Sequence, residues 1–176
     1  MAGFEQFQLD HDRGSSYGGS RIIRKVYPDT LYASLMEAAY PLWEDLESES
    51  GDALFLRCGG FFFGPAGHPD MAATERALQQ VGVPYEALSA ADARRRLPSF
   101  RLDADEYGIY EPQSGLLRAS ACVLANARGA LARGAELREG VCVERMESTS
   151  TGVRLTVNGE SELFDRVVVS AGPWTG

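Results

Sequence analysis

The segment from Gly14 to Tyr27 constrains this sequence most strongly. It reads Gly-Ser-Ser-Tyr-Gly-Gly-Ser-Arg-Ile-Ile-Arg-Lys-Val-Tyr, so small residues run directly into three cations and two isoleucines. Glycine and serine allow backbone N–H groups to crowd around an anion. If a helix begins at Arg21, its N-terminal dipole adds to this attraction and places Arg21 and Arg24 on one face. The segment indicates either a site for an anionic ligand or a flexible surface loop followed by a solvated basic turn.

The overall charge of the chain sets these cations apart. The net charge is −8 at pH 7 and the isoelectric point is about 4.8, which disfavours nucleic acid or an anionic membrane surface as a partner. Against this acidic background, the cluster of Arg21, Arg24 and Lys25 favours a small anionic ligand. The 176 residues are 44% hydrophobic, which suffices for one domain or two small ones.

The number and spacing of the cysteines and histidines indicate the redox environment of the protein and whether it binds a metal ion. Cys58, Cys122 and Cys142 are odd in number and widely spaced, so we predict reduced thiols in an intracellular protein. The two histidines, His11 and His68, lie near no cysteine pair, and we therefore expect no metal site. No apolar stretch is long enough for a signal peptide or a membrane span, which predicts a soluble chain.

Hydrophobic periodicity predicts several helices. The first begins at an N-cap, Asp29, ends near Ser48 and is kinked or broken at Pro41. Its apolar side chains predict a core stripe of Leu31, Leu35, Ala39, Leu42 and Leu46, beside Met36, Tyr40 and Trp43. Further helices are predicted at 70–80, at 90–97 with a solvated run Arg94-Arg95-Arg96, and at 120–133, where Gly134 ends the helix and Val123, Leu124, Ala127 and Leu131 face inward.

Strands are predicted between these helices. The pair Asn158-Gly159 is the strongest hairpin signal in the chain. The apolar run Val167–Ser170 has no alternation, which is typical of a strand buried on both faces of a parallel sheet. The remaining predicted strands lie at 2–7, 53–58, 60–64, 85–88, 141–146 and 152–157.

Three segments carry a resemblance to a known family. Gly14–Tyr27 resembles a Gly-Ser-Ser-His-Gly-x-Ser-Arg-Ile-Ile-Arg run that passes beside the flavin ring in FAD-dependent amine oxidases. These are the monomeric sarcosine, L-pipecolate and N-methyltryptophan oxidases of the D-amino-acid-oxidase-like superfamily. Tyr17 stands where these proteins usually carry histidine. Tyr107–Gly115 is similar to their returning hairpin, and Val167–Trp174 is similar to their V-x-x-x-A-G-x-W turn.

The resemblance covers nearly the whole chain and implies an α/β fold. It places pieces of a Rossmann-like FAD-binding domain of the glutathione-reductase type at 1–52 and 117–176. An inserted antiparallel sheet of the substrate domain lies at 53–116. The family is longer at both ends, and its first βαβ unit with a G-x-G-x-x-G turn and its C-terminal part are not in this sequence. We therefore expect the 176-residue chain alone neither to retain FAD nor to oxidise an amine.

The resemblance also implies roles for individual residues. Arg24 would bind the substrate carboxylate, Arg21 would stand over the flavin, and Tyr17 would lie near the flavin ring. Glu5 would hydrogen-bond the adenosine ribose at the end of its strand. The further FAD contacts implied are Ser15, Ser16, Ser20, Arg21, Val143, Ser170, Ala171, Gly172 and Trp174.

The implied reaction removes a hydride equivalent from the carbon next to the nitrogen of a small secondary amino acid, such as sarcosine or pipecolate. The imine is hydrolysed, and the reduced flavin passes its electrons to O2 to give hydrogen peroxide. A cytoplasmic or peroxisomal location is implied. Two alternatives stay open: a related FAD-dependent dehydrogenase that reduces a quinone or protein carrier, and a non-catalytic fold remnant that binds no flavin.

Overall fold

In the computed structural model, which describes residues 1–175, the chain forms a mixed α/β structure. Its α-helices are α1 (Thr30–Ser50), α2 (Pro69–Val81), α3 (Ala90–Arg96) and α4 (Ala119–Ala132), and a short 3₁₀ helix covers Gly172–Trp174. Its strands are β1 (Ala2–Glu5), β2 (Arg21–Ile23), β3 (Phe55–Arg57), β4 (Gly60–Pro65), β5 (Glu86–Ser89), β6 (Glu106–Glu111), β7 (Gly115–Leu117), β8 (Glu136–Glu139), β9 (Val143–Thr149), β10 (Gly152–Val157) and β11 (Glu160–Phe164).

The chain divides into two compact units. The central unit is residues 20–118, and the terminal unit joins residues 1–19 to 119–176. The central unit contains two antiparallel sheets with strand orders β2-β7-β3 and β4-β6-β5. In the terminal unit, β1 pairs with β8 in parallel, and β9, β10 and β11 form an antiparallel sheet.

The central unit has an apolar core of its own. Met71 and Leu78 of α2 pack with Ile109 of β6, and the cluster also contains Val26 and Val83. Met71, Leu78 and Ile109 are at most 1% exposed. Because burying one such side chain contributes about 1.5–3 kcal/mol, this cluster is a main source of stability for the unit.

The connection from β6 to β7 differs from the sequence-based prediction. Tyr107–Gly115 does not form a hairpin, because β6 pairs with β4 and β5 whereas β7 pairs with β2 and β3. A buried carboxylate holds the turn between these strands: Glu111 accepts hydrogen bonds from the Gln113 N–H at 2.7 Å and from the Ser114 hydroxyl. The chain thereby crosses from one sheet to the other instead of folding back.

Helix α1 begins as predicted but is not broken by its proline. The Asp29 side chain accepts a hydrogen bond from the Leu31 N–H at 2.8 Å, which confirms the N-cap. The helix runs through Pro41 to Ser50, so of the predicted kink or break, the break is wrong and the kink stays a prediction. It ends at Gly51, whose φ of 71° favours glycine.

The buried face of α1 is not the predicted stripe. Leu31, Leu35 and Leu42 are 62%, 54% and 67% exposed, and Ala39 and Leu46 are half-buried. The buried residues are Ala33 and Tyr40, of which Tyr40 was predicted beside the stripe. Three glutamates of the helix have partners in other elements of the central unit, and these contacts fix its orientation, although the Glu37 and Glu44 side chains are themselves 43% and 54% exposed. These contacts are Glu37 with Lys25, Glu44 with Arg57, and Glu47 with the backbone N–H groups of Leu54 and Phe55.

In helix α4, small residues face inward instead of the larger ones that we predicted. Ala119, Cys122 and Ala125 are buried, while Leu124 and Leu131 are 38% and 49% exposed. A face of small side chains allows close approach to a neighbouring backbone, and periodicity alone does not reveal this preference. Gly134 follows the helix with a φ of 82°, which confirms the predicted C-terminal glycine.

The C-terminal segment gives one confirmed and one wrong prediction. Asn158 and Gly159 both have positive φ, 51° and 76°, and join β10 to β11 in the expected hairpin. Val167–Ser170 forms no strand, and Val168 and Val169 are 89% and 49% exposed. A strand buried in a parallel sheet needs neighbouring strands, and no described strand pairs with this run.

Two further predictions hold. Cys58, Cys122 and Cys142 are in the reduced form, with no disulfide bond among the described residues. The run Arg94-Arg95-Arg96 lies on the exposed last turn of α3, where Arg95 pairs with Asp92 and Arg96 with Glu86.

Candidate substrate and cofactor site

The arginine-rich part of the Gly14–Tyr27 segment is extended, not helical. Arg21–Ile23 forms β2, which pairs with β7 in an antiparallel register. Successive side chains of a strand face opposite sides, and accordingly Ile23 is 3% exposed whereas Ile22 is 72% exposed. The guanidinium of Arg21 donates to the Ser20 carbonyl at 2.8 Å. The helix N-terminus considered as an anion site is therefore absent here.

Arg24 follows β2 directly and is half-buried. Its guanidinium carbon lies 5.0 Å from the ring centroid of Tyr27, a cation–π contact that orients the side chain. No carboxylate within residues 1–175 forms an ion pair with Arg24. A guanidinium group offers planar donors that match the two oxygens of a carboxylate, so Arg24 can receive the carboxylate of a small ligand.

Lys25 is the cation whose burial sequence analysis missed. It is 5% exposed, and its Nζ donates to Gln113 Oε1 at 2.8 Å and lies 2.6 Å from Glu37 Oε1. The ammonium also lies 4.6 Å from the ring centroid of Tyr40. Lys25 alternates with the buried Ile23 along an extended segment, and this spacing is the signal that could have revealed it. The three cations are therefore not equivalent.

A cavity of about 550 Å³ adjoins the Lys25 ammonium in the central unit. Arg57 and Glu44 form a more exposed ion pair at the same cavity. Burial raises the pKa of the Tyr40 hydroxyl, and the nearby charge of Glu111 raises it further, so Tyr40 remains neutral over the physiological range. The charged groups beside the cavity pair with one another, which leaves Arg24 as the better candidate for an anionic ligand.

In the terminal unit, Glu5 ends the parallel strand β1. Its carboxylate accepts a hydrogen bond from the Phe7 N–H at 2.9 Å and lies 3.5 Å from His11 Nε2. His11 Nδ1 accepts from the Arg13 N–H at 3.0 Å, which leaves Nε2 facing Glu5. Ligands of open α/β sheets bind beyond the carboxyl ends of parallel strands, which is where Glu5 lies.

A second cavity, of about 570 Å³, follows β1 and is lined by residues 7–13 with Tyr17 and Gly140. Asp10 lies in this lining with a φ of 61°, a conformation that costs a non-glycine residue about 1–3 kcal/mol. Its Oδ1 is buried and has no hydrogen-bond partner among the described residues. An unpaired carboxylate oxygen beside a cavity suits a ligand that donates hydrogen bonds, such as the hydroxyl groups of a nucleoside.

The C-terminal turn lies against the same loop of the terminal unit. Trp174 Nε1 donates to the Arg13 carbonyl at 3.2 Å, and the rings of Trp174 and Phe7 are 5.8 Å apart. Arg13 itself lies over the Phe7 ring at 4.5 Å. Phe7 therefore contacts both Glu5, through its N–H, and Trp174, through its ring, although Trp174 lies far from the other two residues in sequence.

The other residues implied for FAD binding are more dispersed. Val143 lies at the start of β9 opposite Val157 and is 39% exposed. Ser15, Ser16 and Tyr17 lie in an exposed turn of the terminal unit, and Ser20 belongs to the central unit beside Arg21. Ser170, Ala171 and Gly172 are exposed and lead into the 3₁₀ helix.

Residues 1–175 contain no group of three or more histidine, cysteine, aspartate or glutamate side chains placed to hold a metal ion. None of the helices in this part of the chain combines the length and the apolar character needed to cross a bilayer.

A family model described as FAD dependent oxidoreductase matches residues 4–176. The chain belongs to this family. FAD is therefore the cofactor of the proteins to which it is related, as the motif in Gly14–Tyr27 indicated. In this chain, the unpaired Asp10 Oδ1 beside the cavity after β1 is an acceptor whose chemistry suits the hydroxyl groups of a nucleoside such as that of FAD.

Relatives of this family member are amine oxidases by name. Monomeric sarcosine oxidase of Streptomyces avermitilis is 34% identical over 175 residues, which cover 99% of this chain and 46% of the relative. Peroxisomal sarcosine oxidase of Mus musculus is 32% identical, with 97% and 44% covered. N-methyl-L-tryptophan oxidase of Yersinia pestis is 30% identical, with 99% and 48% covered. The chain thus spans slightly less than half the length of these relatives.

Solved structures show the same fold for this segment. NikD, described as an unusual amino acid oxidase essential for nikkomycin biosynthesis, superposes with a TM-score of 0.84 at 28% identity. The match covers 99% of this chain and 45% of NikD. Glycine oxidase of Geobacillus kaustophilus superposes with a TM-score of 0.78 at 22% identity and supports the fold alone.

Proposed function

We propose that the protein oxidises a small secondary amino acid, such as sarcosine or pipecolate, with bound FAD and O2. Arg24 carries this proposal, because it is a half-buried guanidinium, oriented on Tyr27, without a carboxylate partner among residues 1–175. Such a group favours a substrate that brings its own carboxylate. The names of the amine oxidases to which the chain is similar support the same substrate class.

In this proposal, Arg24 binds the substrate carboxylate and fixes the neighbouring carbon and nitrogen for reaction. Arg21 provides a positive charge near the flavin ring, and Tyr17 takes the place of the usual histidine. When held by these residues, FAD would supply the redox chemistry: the hydride equivalent on the carbon next to nitrogen would pass by way of the flavin to O2 as hydrogen peroxide, and water would hydrolyse the imine.

The cofactor contacts in the proposal lie mainly in the terminal unit. Glu5 holds the ribose hydroxyl groups, with Asp10 as a further acceptor. Val143 contacts the adenine side. We assign 1–52 and 117–176 to the cofactor domain and 53–116 to the substrate domain. The remaining flavin contacts are Ser15, Ser16, Ser20, Arg21, Ser170, Ala171, Gly172 and Trp174.

Anaerobic reduction of the flavin tests the proposed function. Sarcosine, L-pipecolate and N-methyl-L-tryptophan would each be added without oxygen to the purified full-length protein that contains this chain, loaded with FAD and called the flavin-loaded protein below. Dimethylamine is the control that lacks a carboxylate. We expect loss of the visible flavin absorbance with at least one amino acid but not with dimethylamine. Hydrogen peroxide should then form when air is admitted.

The other outcomes separate the alternatives. Flavin that stays oxidised with every amino acid would contradict the proposal. Flavin that is reduced but yields no hydrogen peroxide in air would favour a dehydrogenase that passes electrons to a quinone or a protein carrier.

A further inference from the structure

The buried ammonium group of Lys25 has polar partners in two other elements of the central unit. Its side chain is 6% exposed, and removing an ammonium group from water is costly unless partners compensate. The partners come from two parts of the central unit: Glu37 from α1 and Gln113 from the turn between β6 and β7. Through these two contacts, Lys25 fixes the position of its own backbone relative to α1 and to the turn between β6 and β7.

The backbone that Lys25 anchors is the segment that carries Arg24. The pairing of β2 with β7 ends at Ile23, so Arg24 and Lys25 lie beyond the ladder. Lys25 is held by the polar contacts, and the next residue, Val26, is 4% exposed in the apolar cluster of α2 and β6. Two consecutive residues anchored in different surroundings restrict the backbone on the C-terminal side of Arg24.

The partner of Lys25 in the turn is itself held firmly. The turn contains Gln113 and Ser114, and the fully buried carboxylate of Glu111 bonds to both. The Ser114 carbonyl also accepts a hydrogen bond from the Gly59 N–H at 2.8 Å. Gln113 therefore presents its side-chain oxygen to Lys25 from a fixed position.

We propose that Lys25 is a positioning residue that holds Arg24 against Tyr27 and thereby orients the carboxylate of the amino acid substrate. This inference rests on the proposed function of Arg24. Lys25 itself does not touch the substrate, since its ammonium is occupied by Glu37 and Gln113. Its effect reaches the substrate through the backbone and through the Arg24–Tyr27 contact.

The chain offers a matched control in a second ion pair on the same helix. Arg57 pairs with Glu44, which lies on α1 like Glu37, and both ion pairs adjoin the same cavity. The Arg57 side chain is 43% exposed, and its backbone belongs to β3, away from Arg24 in sequence. Arg57→Met removes a comparable charge without releasing the segment of Arg24.

The first experiment is independent of catalysis. The Arg24 Nε–H resonance of the isotope-labelled chain would be assigned by NMR, because the Tyr27 ring shifts protons that lie near its face. We expect Lys25→Met to move this resonance toward that of Tyr27→Leu, and Arg57→Met to leave it in place. An unchanged resonance in Lys25→Met would overturn the proposal. If Lys25→Met does not fold, Glu37→Gln weakens the same contact and should move the resonance in the same direction.

The second experiment measures the consequence for the substrate in the flavin-loaded protein. We expect Lys25→Met to raise KM for sarcosine about tenfold with a much smaller change in kcat, since binding geometry is altered. In an Arg24→Ala background, Lys25→Met should have almost no further effect, because Lys25 acts through Arg24. A merely structural role would lower activity equally in both backgrounds and would contradict the proposal.

The two experiments separate the possible failures. If the reference protein oxidises no amino acid, the proposed function fails, and the carboxylate-orienting part of this inference falls with it. The NMR comparison still decides whether Lys25 holds Arg24. If the reference protein is active and the Arg24 Nε–H resonance does not move in Lys25→Met, the proposed role of Lys25 is wrong while the proposed function stands.

Discussion

The two units of the chain bury their apolar side chains to different extents. In the central unit, Leu78 and Ile109 are fully buried in a cluster shared by a helix and a sheet. In the terminal unit, the antiparallel sheet leaves Met146 and Leu163 52% and 56% exposed, and Trp174 is 53% exposed. The central unit therefore has a core that can hold its ligand-binding residues in place by itself.

The two halves of the Gly14–Tyr27 segment differ in burial in the same way as the two units. The half with Arg24 continues into Lys25 and Val26, which are both buried in the central unit. The half with the serines and Tyr17 is an exposed turn of the terminal unit. Local stability follows buried contacts, so we infer that the proposed carboxylate site is more firmly ordered than the proposed flavin contacts.

The largest expected effect on stability is the loss of a core side chain from the central unit. Leu78→Ala should lower the free energy of unfolding by about 2–5 kcal/mol, because it leaves a cavity in a fully buried cluster. The control is an exposed leucine of the terminal unit: Leu163→Ala should alter the free energy of unfolding by no more than about 0.5 kcal/mol. Urea denaturation measures both. Equal losses would remove the contrast between the units.

A slightly smaller effect is expected at the turn between the two sheets of the central unit. Glu111→Ala should cost roughly 2–4 kcal/mol in unfolding free energy, since the Gln113 N–H and the Ser114 hydroxyl lose their buried acceptor. Glu144→Ala, on the exposed start of β9, is the control and should be nearly neutral. A neutral Glu111→Ala would show that the turn does not depend on this carboxylate.

Alkaline pH should destabilise the central unit moderately. Burial, together with the hydrogen bond to Glu75, raises the pKa of Tyr107 to about 12, and burial also raises the pKa of Tyr40. A tyrosine with a raised pKa in the folded state ionises first in the unfolded chain. Its contribution to stability is therefore complete below about pH 10 and declines as the pH rises toward the folded pKa.

Chemical denaturation between pH 8 and pH 11 tests this dependence. The free energy of unfolding should fall with pH, and the fall should be shallower in Tyr107→Phe and in Tyr40→Phe. A slope that neither substitution changes would exclude these two tyrosines as its origin.

The smallest effect is expected at Tyr17. Its phenol replaces a histidine that could carry a proton in related proteins, so Tyr17→Phe should change kcat/KM of the flavin-loaded protein less than about twofold. The flavin content of the purified variant is the control. A large loss of turnover with intact flavin would show that the hydroxyl group takes part in the reaction.

Local signals in the sequence predict local structure well. Asp29, Gly134 and the Asn158-Gly159 pair each act through their own backbone or the next few residues, and all three take the expected positions. The family motif likewise identified FAD as the cofactor of the family. The roles of Arg21, Arg24 and Glu5 stay predictions.

The errors arose where distant residues decide the outcome. The leucines at 31, 35 and 42 form a regular stripe, but partners of Glu37 and Glu44 turn the opposite face of α1 inward. Val167–Ser170 has the composition of a buried strand, yet pairing depends on neighbours that no local pattern specifies. The sequence groups Lys25 with Arg21 and Arg24 as a cluster for an anionic ligand, because the burial of Lys25 depends on Gln113, far along the chain.

The role of Arg24 can be tested by removing either partner of the proposed interaction: the carboxylate of the substrate or the guanidinium of Arg24. In the flavin-loaded protein, kcat/KM would be measured for sarcosine and for sarcosine methyl ester, with wild-type protein, Arg24→Ala and the control Arg57→Ala. A bidentate charged contact contributes about 2–4 kcal/mol, so wild-type protein and Arg57→Ala should prefer sarcosine by a factor of roughly 30 to 1,000. Arg24→Ala should lose this preference and leave the rate with the ester almost unchanged. A preference for sarcosine that persists in Arg24→Ala would show that the carboxylate binds elsewhere.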